Sequence, residues 1–245
     1  MPAKISVAGI TKSFVRNGDT LRVVDGIEFS VGEGEFVALV GPSGCGKTTL
    51  LHIMAGFTHP DAGEVVIDGA PVAGPSPNRI VISQQGSVFP WLTVRRNLMF
   101  GLDDHPAEAA VLADHYAGVV GLAGFEESYP HELSGGMLRR VELARALVVK
   151  PEILYLDEPF AALDALTSLQ VRFELQRILD KERHTCVLIT HDVEEAIHLA
   201  DRILVLSKRP AAIQAAFEVQ LPRPRDLASP EVAQLKRAVL RELGL

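Results

Sequence analysis

Three motifs with side chains suited to phosphate chemistry follow one another in this chain. A glycine-rich loop spans residues 41–48, a Leu-Ser-Gly-Gly-Met segment spans residues 133–137, and an apolar run ends in two carboxylates at residues 157–158. The first motif is typical of a phosphate-binding loop, the second of a helix that begins at an anion site, and the third of a catalytic strand end. Each has a structural alternative, so their combination and order are more informative than any one of them.

The glycine-rich loop lies between a predicted buried strand at residues 35–40 and a predicted helix at residues 47–54. Its glycines permit a tight turn whose N–H groups point inward, and the positive end of the helix dipole points at the same spot. The lysine can reach β- and γ-phosphates, and the next hydroxyl can bind Mg²⁺. A plain glycine-rich turn is the alternative, which the strand–loop–helix context disfavours. The predicted nucleotide-binding residues are Gly41, Pro42, Ser43, Gly44, Cys45, Gly46, Lys47, Thr48 and Thr49.

The two carboxylates follow residues 152–156, which have the length and apolar content of a central strand. Such a strand places Asp157 at its carboxyl end, where ligands bind in open α/β sheets. Asp157 can then hold Mg²⁺, and Glu158 is the candidate to orient and deprotonate an attacking water. Two solvated acids at a strand end are a common alternative, but the phosphate loop upstream favours catalysis.

The Leu-Ser-Gly-Gly-Met segment precedes apolar residues at helical spacing between residues 141 and 148. Ser134, Gly135 and Gly136 would lie at the N-terminus of that helix, which makes them a second anion site. Taken alone, the segment could equally be an ordinary N-cap followed by a glycine turn.

Together, the three motifs resemble the ATP-binding cassette of ABC transporters, and the resemblance covers almost the whole chain. It implies an α/β fold: an ABC-type P-loop nucleotide-binding domain with an N-terminal antiparallel β part and an inserted helical lobe. It also implies Mg²⁺-dependent ATP hydrolysis at a site split between two chains, where the Ser-Gly-Gly segment faces the γ-phosphate held by the opposite subunit. The chain departs from the family form at Leu138 and Arg139, where the family often has Arg and Gln.

The resemblance implies roles for four further residues. Phe14 matches the aromatic that stacks on adenine, and Gln84 matches the glutamine that contacts the metal and couples to the membrane partner. The adjacent Gln85 leaves the second assignment open, although spacing favours Gln84. Asp164 matches the D-loop, and His191 matches the histidine that contacts the γ-phosphate. The implied catalytic residues are thus Glu158, His191 and Gln84, and the implied metal ligands are Thr48, Gln84 and Asp157.

The order of predicted elements indicates one nucleotide-binding domain over residues 1–245. Its α/β core is predicted at residues 1–86 and 151–221, and its helical lobe at residues 87–150. Residues 222–245 are predicted to form a C-terminal linker and helix.

Composition limits the cellular setting. No apolar run reaches the ~20 residues needed to span a bilayer, and the N-terminus lacks the apolar core of a signal peptide. Two cysteines fit a reducing compartment, and a net charge of −7 disfavours nucleic acid as a partner. We therefore expect a peripheral protein at the cytoplasmic face of the inner (cell) membrane, with transport carried out by a separate membrane protein.

Two short segments refine the resemblance. Phe-Pro-Trp-Leu-Thr-Val at residues 89–94 and Leu-Pro-Arg-Pro-Arg-Asp at residues 221–226 resemble the nitrate/sulfonate/taurine importer group. This implies a homodimer of ATPase subunits that works with integral membrane permease subunits and, indirectly, a substrate-binding protein to import a small anionic solute. The alternatives are the ATPase of a two-part exporter and a soluble, non-transport ABC ATPase.

Overall fold

The computed structural model describes residues 3–16, 18–102, 106–161, 163–182 and 184–245. The strands are β1 (Ala3–Arg16), β2 (Asp19–Gly32), β3 (Phe36–Val40), β4 (Ala62–Ile67), β5 (Ala70–Pro71), β6 (Arg79–Ile82), β7 (Ile153–Asp157), β8 (Thr185–Thr190), β9 (Arg202–Leu206) and β10 (Ile213–Glu218). The α-helices are α1 (Lys47–Ala55), α2 (Val94–Met99), α3 (Pro106–Val119), α4 (Gly135–Val148), α5 (Ala165–Glu182), α6 (Val193–Leu199) and α7 (Pro230–Glu242).

The strands form two sheets of different character. The smaller sheet has the order β2-β1-β4-β5, and its pairings are all antiparallel. The larger sheet has the order β10-β9-β3-β8-β7-β6, in which only the edge strand β10 runs antiparallel. The predicted α/β fold with an N-terminal antiparallel β part is therefore confirmed.

The central strands are continuous apolar runs because both faces of the larger sheet are covered. Every residue of β3, β7 and β8 is buried. Side chains on β3 alternate between two cores: Val37 and Leu39 pack towards α1 and the smaller sheet, whereas Ala38 and Val40 pack towards the other helices. The larger sheet is thus the middle layer, and its strand ends are held rigidly from both sides.

The segment between β6 and β7 folds into helices α2, α3 and α4, which pack on one another. The turn that precedes α2 is held by the buried amide of Asn97. Its Nδ2 donates to the carbonyl oxygens of Phe89, Leu92 and Thr93, and its Oδ1 accepts from the Phe89 N–H at 2.9 Å. The predicted inserted helical lobe is therefore present, and these hydrogen bonds fix the turn at residues 89–93.

The predicted C-terminal linker is docked on the core. Arg225 is 4% exposed and donates to carbonyl oxygens at the C-terminus of α6, while Arg223 donates to the Leu199 carbonyl oxygen at 2.6 Å. These guanidinium groups satisfy carbonyls that a helix end leaves unpaired. Across the described ranges, no helix combines the length and apolar character that a membrane crossing requires.

Candidate active site

Five loops meet at one edge of the larger sheet, because each follows the carboxyl end of a parallel strand. In open α/β sheets this edge is where ligands bind. Predicted site residues lie on four of these loops, although they are far apart in the sequence, while Phe14 lies on β1 and Ser134, Gly135 and Gly136 lie at the start of α4. The loops follow Val40 of β3, Ile82 of β6, Asp157 of β7, Thr190 of β8 and Leu206 of β9.

The phosphate loop folds back around the Lys47 side chain, which is 5% exposed. Its Nζ donates to the carbonyl oxygens of Gly41 at 2.7 Å and Pro42 at 3.0 Å. An ammonium group has three N–H donors, so this arrangement leaves one for a ligand. The structure therefore fixes the Lys47 charge at the start of α1, where a phosphate would gain from both the charge and the helix dipole.

Close packing explains two of the loop glycines. At Gly46, with φ of 128°, a Cβ would lie 2.9 Å from the Val23 carbonyl oxygen. At Gly41, a Cβ would lie 3.1 Å from the Leu206 Cβ. Because Gly46 is also the N-cap of α1, no side-chain acceptor caps the first helical turn, and its N–H groups are available to an anion.

A pocket of about 260 Å³ joins the phosphate loop to β1. The Phe14 ring, 44% exposed, is part of its wall, so the pocket offers both an aromatic face and phosphate-binding donors. Of the other predicted loop residues, Ser43 is exposed and Cys45 is buried. The pocket is lined by Phe14, Val23, Gly44, Gly46, Lys47, Thr48, Thr49, Glu158 and Arg209.

Asp157 lies beside the first hydroxyl of α1. Thr48 Oγ1 donates to Asp157 Oδ1 at 3.2 Å. Burial raises the pKa of Asp157, and the Glu158 charge adds to this, while the Thr48 hydrogen bond opposes it. A hydroxyl and a desolvated carboxylate are the hard oxygen donors that Mg²⁺ prefers. The two residues therefore fit a magnesium site that substrate phosphates would complete.

Glu158 turns away from the strand because its backbone is left-handed, with φ of 45°. Its N–H donates to the Ile189 carbonyl oxygen at 2.8 Å, which holds a conformation that costs a non-glycine residue on the order of 1–3 kcal/mol. The Glu158 Oε2 lies 3.4 Å from Gln84 Nε2 and 3.2 Å from His191 Nδ1. All three predicted catalytic residues are therefore brought together at one carboxylate oxygen.

The two adjacent glutamines, Gln84 and Gln85, differ in their contacts. Gln84 reaches Glu158 through its side-chain amide, whereas the Gln85 backbone carbonyl accepts from the Ser83 hydroxyl at 2.8 Å. The Gln84 side chain is thus the one that faces the Glu158 carboxylate.

The Ser-Gly-Gly segment forms the beginning of α4. Ser134 is the N-cap and accepts from the Met137 N–H at 3.3 Å. At Gly136 a Cβ would lie 2.3 Å from Thr167 Cγ2, so the glycine permits α4 to touch the first turn of α5. Ser134 and Gly135 are exposed and do not line the 260 Å³ pocket among its described residues.

Asp164 lies just before α5 and accepts from the Thr167 N–H at 3.1 Å. Its hydrogen bonds with Thr167 lower the pKa of the exposed Asp164 carboxyl. Because Thr167 also contacts Gly136, the predicted D-loop and the Ser-Gly-Gly segment share one neighbour.

Arg209 was not predicted from the sequence, yet it lines the nucleotide pocket. Its Nε donates to the Gly44 carbonyl oxygen at 3.0 Å, and its Nη2 donates to the same oxygen. The available signal was topological: Arg209 follows β9, which neighbours β3, so its loop had to reach the ligand-binding edge.

The chain is similar to a known protein family and to individual proteins. The family model for ABC transporters matches residues 24–161. An uncharacterized ABC transporter ATP-binding protein of Methanocaldococcus jannaschii is 44% identical over 246 residues, which cover 99% of this chain and 92% of that protein. The aliphatic sulfonates import ATP-binding protein of Bacillus cereus is 40% identical over 238 residues, which cover 97% of this chain and 95% of that protein.

A solved structure is also similar. It is the dimeric structure of a post-hydrolysis state of an ATP-binding cassette bound to ADP and phosphate, with a TM-score of 0.78 and 27% identity. The match covers 88% of this chain and 99% of that one. With the phosphate loop, the carboxylates and the helical segment in the same fold, the chain belongs to the ABC transporter family of ATP-binding proteins, and it is an ATPase.

Proposed function

We propose that this ATPase is the energising subunit of a membrane importer for a small anionic solute, of the nitrate, sulfonate or taurine type. The observation that carries the catalytic part is the Glu158 carboxylate, which lies between Gln84 and His191 and lines the same pocket as Lys47. The importer part is supported by the 40% identity to an aliphatic sulfonates import ATP-binding protein.

In the proposed reaction, Lys47 and the amides of the phosphate loop bind the β- and γ-phosphates, and Phe14 stacks on adenine. Thr48 and Asp157, with Gln84, would hold Mg²⁺, which would neutralise charge on the phosphates. Glu158 accepts a proton from water as the water oxygen attacks the γ-phosphorus, and ADP departs with the bridging oxygen. His191 supports the water and the γ-phosphate from the neighbouring strand end.

The second half of the site comes from another copy of the chain. Ser134, Gly135 and Gly136 are exposed or half-exposed at the start of α4, and they are not among the described residues that line the Lys47 pocket of their own chain. In a head-to-tail homodimer they would bind the γ-phosphate held by the partner, with Asp164 near the contact. The dimeric cassette structure that resembles this fold supports this arrangement.

The proposed permease contact is an aromatic patch formed by Phe89, Trp91 and Phe100. Trp91 and Phe100 are 69% and 64% exposed, and the Phe89 ring centroid lies 4.3 Å from that of Phe100. Exposed aromatics of this size are typical of interface anchors. The patch follows the loop of Gln84, so a membrane subunit bound there would be close to a catalytic side chain, and the protein would lie peripherally at the cytoplasmic face.

The test is uptake by the assembled transporter. The chain is co-expressed with any multi-span membrane protein and substrate-binding protein that neighbouring genes encode, and uptake of labelled taurine, alkanesulfonate or nitrate is measured in vesicles. We expect Phe89→Ala combined with Trp91→Ala to leave ATP binding intact and to abolish assembly or uptake. Val111→Ala, which removes another exposed apolar side chain (71%) of the same lobe, is the control.

Several results would contradict the proposal. If no membrane protein co-purifies, the chain is a soluble, non-transport ABC ATPase. If ATP drives the solute from the side that carries the ATPase to the opposite side of the membrane, the complex is a two-part exporter. Normal assembly and uptake in the double alanine variant would remove the aromatic patch from the role of permease contact.

A further inference from the structure

Arg139, at one of the positions where the chain departs from the usual family sequence, is buried in α4 and is 7% exposed. Its guanidinium joins two other segments to its own helix. Nη1 donates to the Ser83 carbonyl oxygen at 3.1 Å, and Nε donates to the Pro159 carbonyl oxygen. Nη1 also donates to the Glu142 carboxylate on the next turn of α4. Two of these contacts are to residues directly beside Gln84 and Glu158.

Glu142 binds the other end of the loop that carries Gln84. It is 4% exposed, and its Oε1 accepts from the Ser87 N–H at 2.5 Å. The loop at residues 83–87 is therefore bound to α4 at its first and last residues. Gln84 lies between these two points, and its side chain is free to contact Glu158 at 3.4 Å.

Stability alone does not explain this pair. A buried ion pair is often replaced by apolar side chains without loss of stability, because removing both charges also removes their desolvation cost. What the apolar pair would lose is the set of hydrogen bonds from one helix to the backbones beside Gln84 and Glu158. A fork of N–H donors such as Arg139 can hold several acceptors in fixed geometry at once.

We infer that Arg139 and Glu142 are a positioning pair, which sets the alignment of Gln84 with Glu158 and ties both to the helix that begins with Ser134. This inference rests on the proposed catalytic roles of Gln84 and Glu158. A shift of α4, when a partner chain or its nucleotide binds at Ser134, would move Ser83 and Pro159 together through one guanidinium. Displacements of about 1 Å at reacting groups can cost on the order of 100-fold in rate.

The experiment uses the complete chain with both charges replaced by apolar residues, Arg139→Met and Glu142→Leu. We expect a folded protein whose Kd and KM for ATP stay within about twofold, and whose kcat falls between about 10-fold and 100-fold. The matched control replaces an ion pair that joins α4 to α5, Arg140→Met with Glu174→Leu. Arg140 Nη1 lies 3.4 Å from Glu174 Oε1, and neither residue contacts the loop at residues 83–87 in the described structure. The control should keep its kcat.

Arg139→Lys covers the case in which the apolar pair does not fold. Lysine retains the charge opposite Glu142, but a single ammonium on a flexible stem cannot reproduce the fork. We expect this variant to fold and to lose kcat without a rise in KM. Wild-type kcat in either folded variant would overturn the inference. Glu158→Gln, measured in parallel, keeps the two questions apart: a normal rate there would overturn the proposed catalytic role instead.

Discussion

The phosphate loop and the Ser-Gly-Gly segment are both helix N-termini suited to anions, yet they differ in what surrounds them. At the phosphate loop, Lys47 is buried and bonded to two carbonyls, and Thr48 already contacts Asp157. At the start of α4, Ser134 is exposed and its hydroxyl accepts from its own helix at 3.3 Å. One site is assembled within the chain, and the other presents an incomplete surface.

This difference predicts that the phosphate loop sets the affinity for ATP and that the Ser-Gly-Gly segment controls hydrolysis. A preorganised site binds its ligand without further ordering, so the phosphate loop should bind ATP in a single chain. An exposed helix end that lacks a buried charge binds an anion weakly by itself. Hydrolysis that needs both should therefore depend on protein concentration, whereas ATP binding should not.

The largest expected effect comes from Glu158→Gln. The amide cannot accept the proton of the attacking water, so kcat should fall on the order of 10²- to 10⁴-fold, while ATP binding, measured by calorimetry, stays near wild type. Because the phosphate loop is intact, an ATP-bound dimer should accumulate and be visible by size-exclusion chromatography. Near-wild-type turnover would remove Glu158 from the role of base.

Ser134→Arg tests the role of the exposed Ser-Gly-Gly segment at the start of α4. A bulky cation there should block the partner's phosphate and lower hydrolysis by about 100-fold or more, while each chain still binds ATP through Lys47. Ser134→Ala removes the same hydroxyl without adding bulk or charge, so it separates the loss of that hydroxyl, which costs about 1 kcal/mol of helix stability as a cap, from the block by arginine.

A mixture of two inactive variants tests whether the site is shared between two chains. Ser134→Arg protein has a sound phosphate loop, and Lys47→Ala protein has a sound Ser-Gly-Gly segment. One intact composite site per heterodimer should form when the two inactive proteins are combined, so hydrolysis should reappear. Full activity of Ser134→Arg protein alone would show that each chain completes its own site.

The elements of this site that the sequence predicted are those encoded by local patterns. The strands before the phosphate loop and before Glu158 are continuous apolar runs, because both faces of the larger sheet are buried. Because ligands bind at the carboxyl ends of parallel strands, Asp157 and His191 could be assigned to the same edge of the sheet without any knowledge of contacts.

What the sequence did not predict depends on contacts between distant segments. Arg209 lies 165 residues from Gly44, its partner, and Arg139 lies 56 residues from Ser83. Neither side chain carries a local signal of its role, since an arginine on a predicted helix or loop is normally solvated. Strand β10 was also missed, because its residues alternate between half-buried and exposed at the sheet edge and form no apolar run.

The smallest expected effect is on ATP affinity and comes from Phe14, the aromatic residue in the wall of the nucleotide pocket. Phe14→Ala removes the ring that lines the pocket, and the loss of base stacking should weaken ATP binding about tenfold. KM should rise while kcat is unchanged, because stacking acts equally on the ground and transition states. Phe14→Trp should restore binding, since any aromatic face can stack on a base. Phe125→Ala is the matched control: its ring is 42% exposed, against 44% for Phe14, and it is not part of the pocket wall. An equal loss of affinity in both alanine variants would mean that Phe14 acts through the fold of β1 and not through the nucleotide.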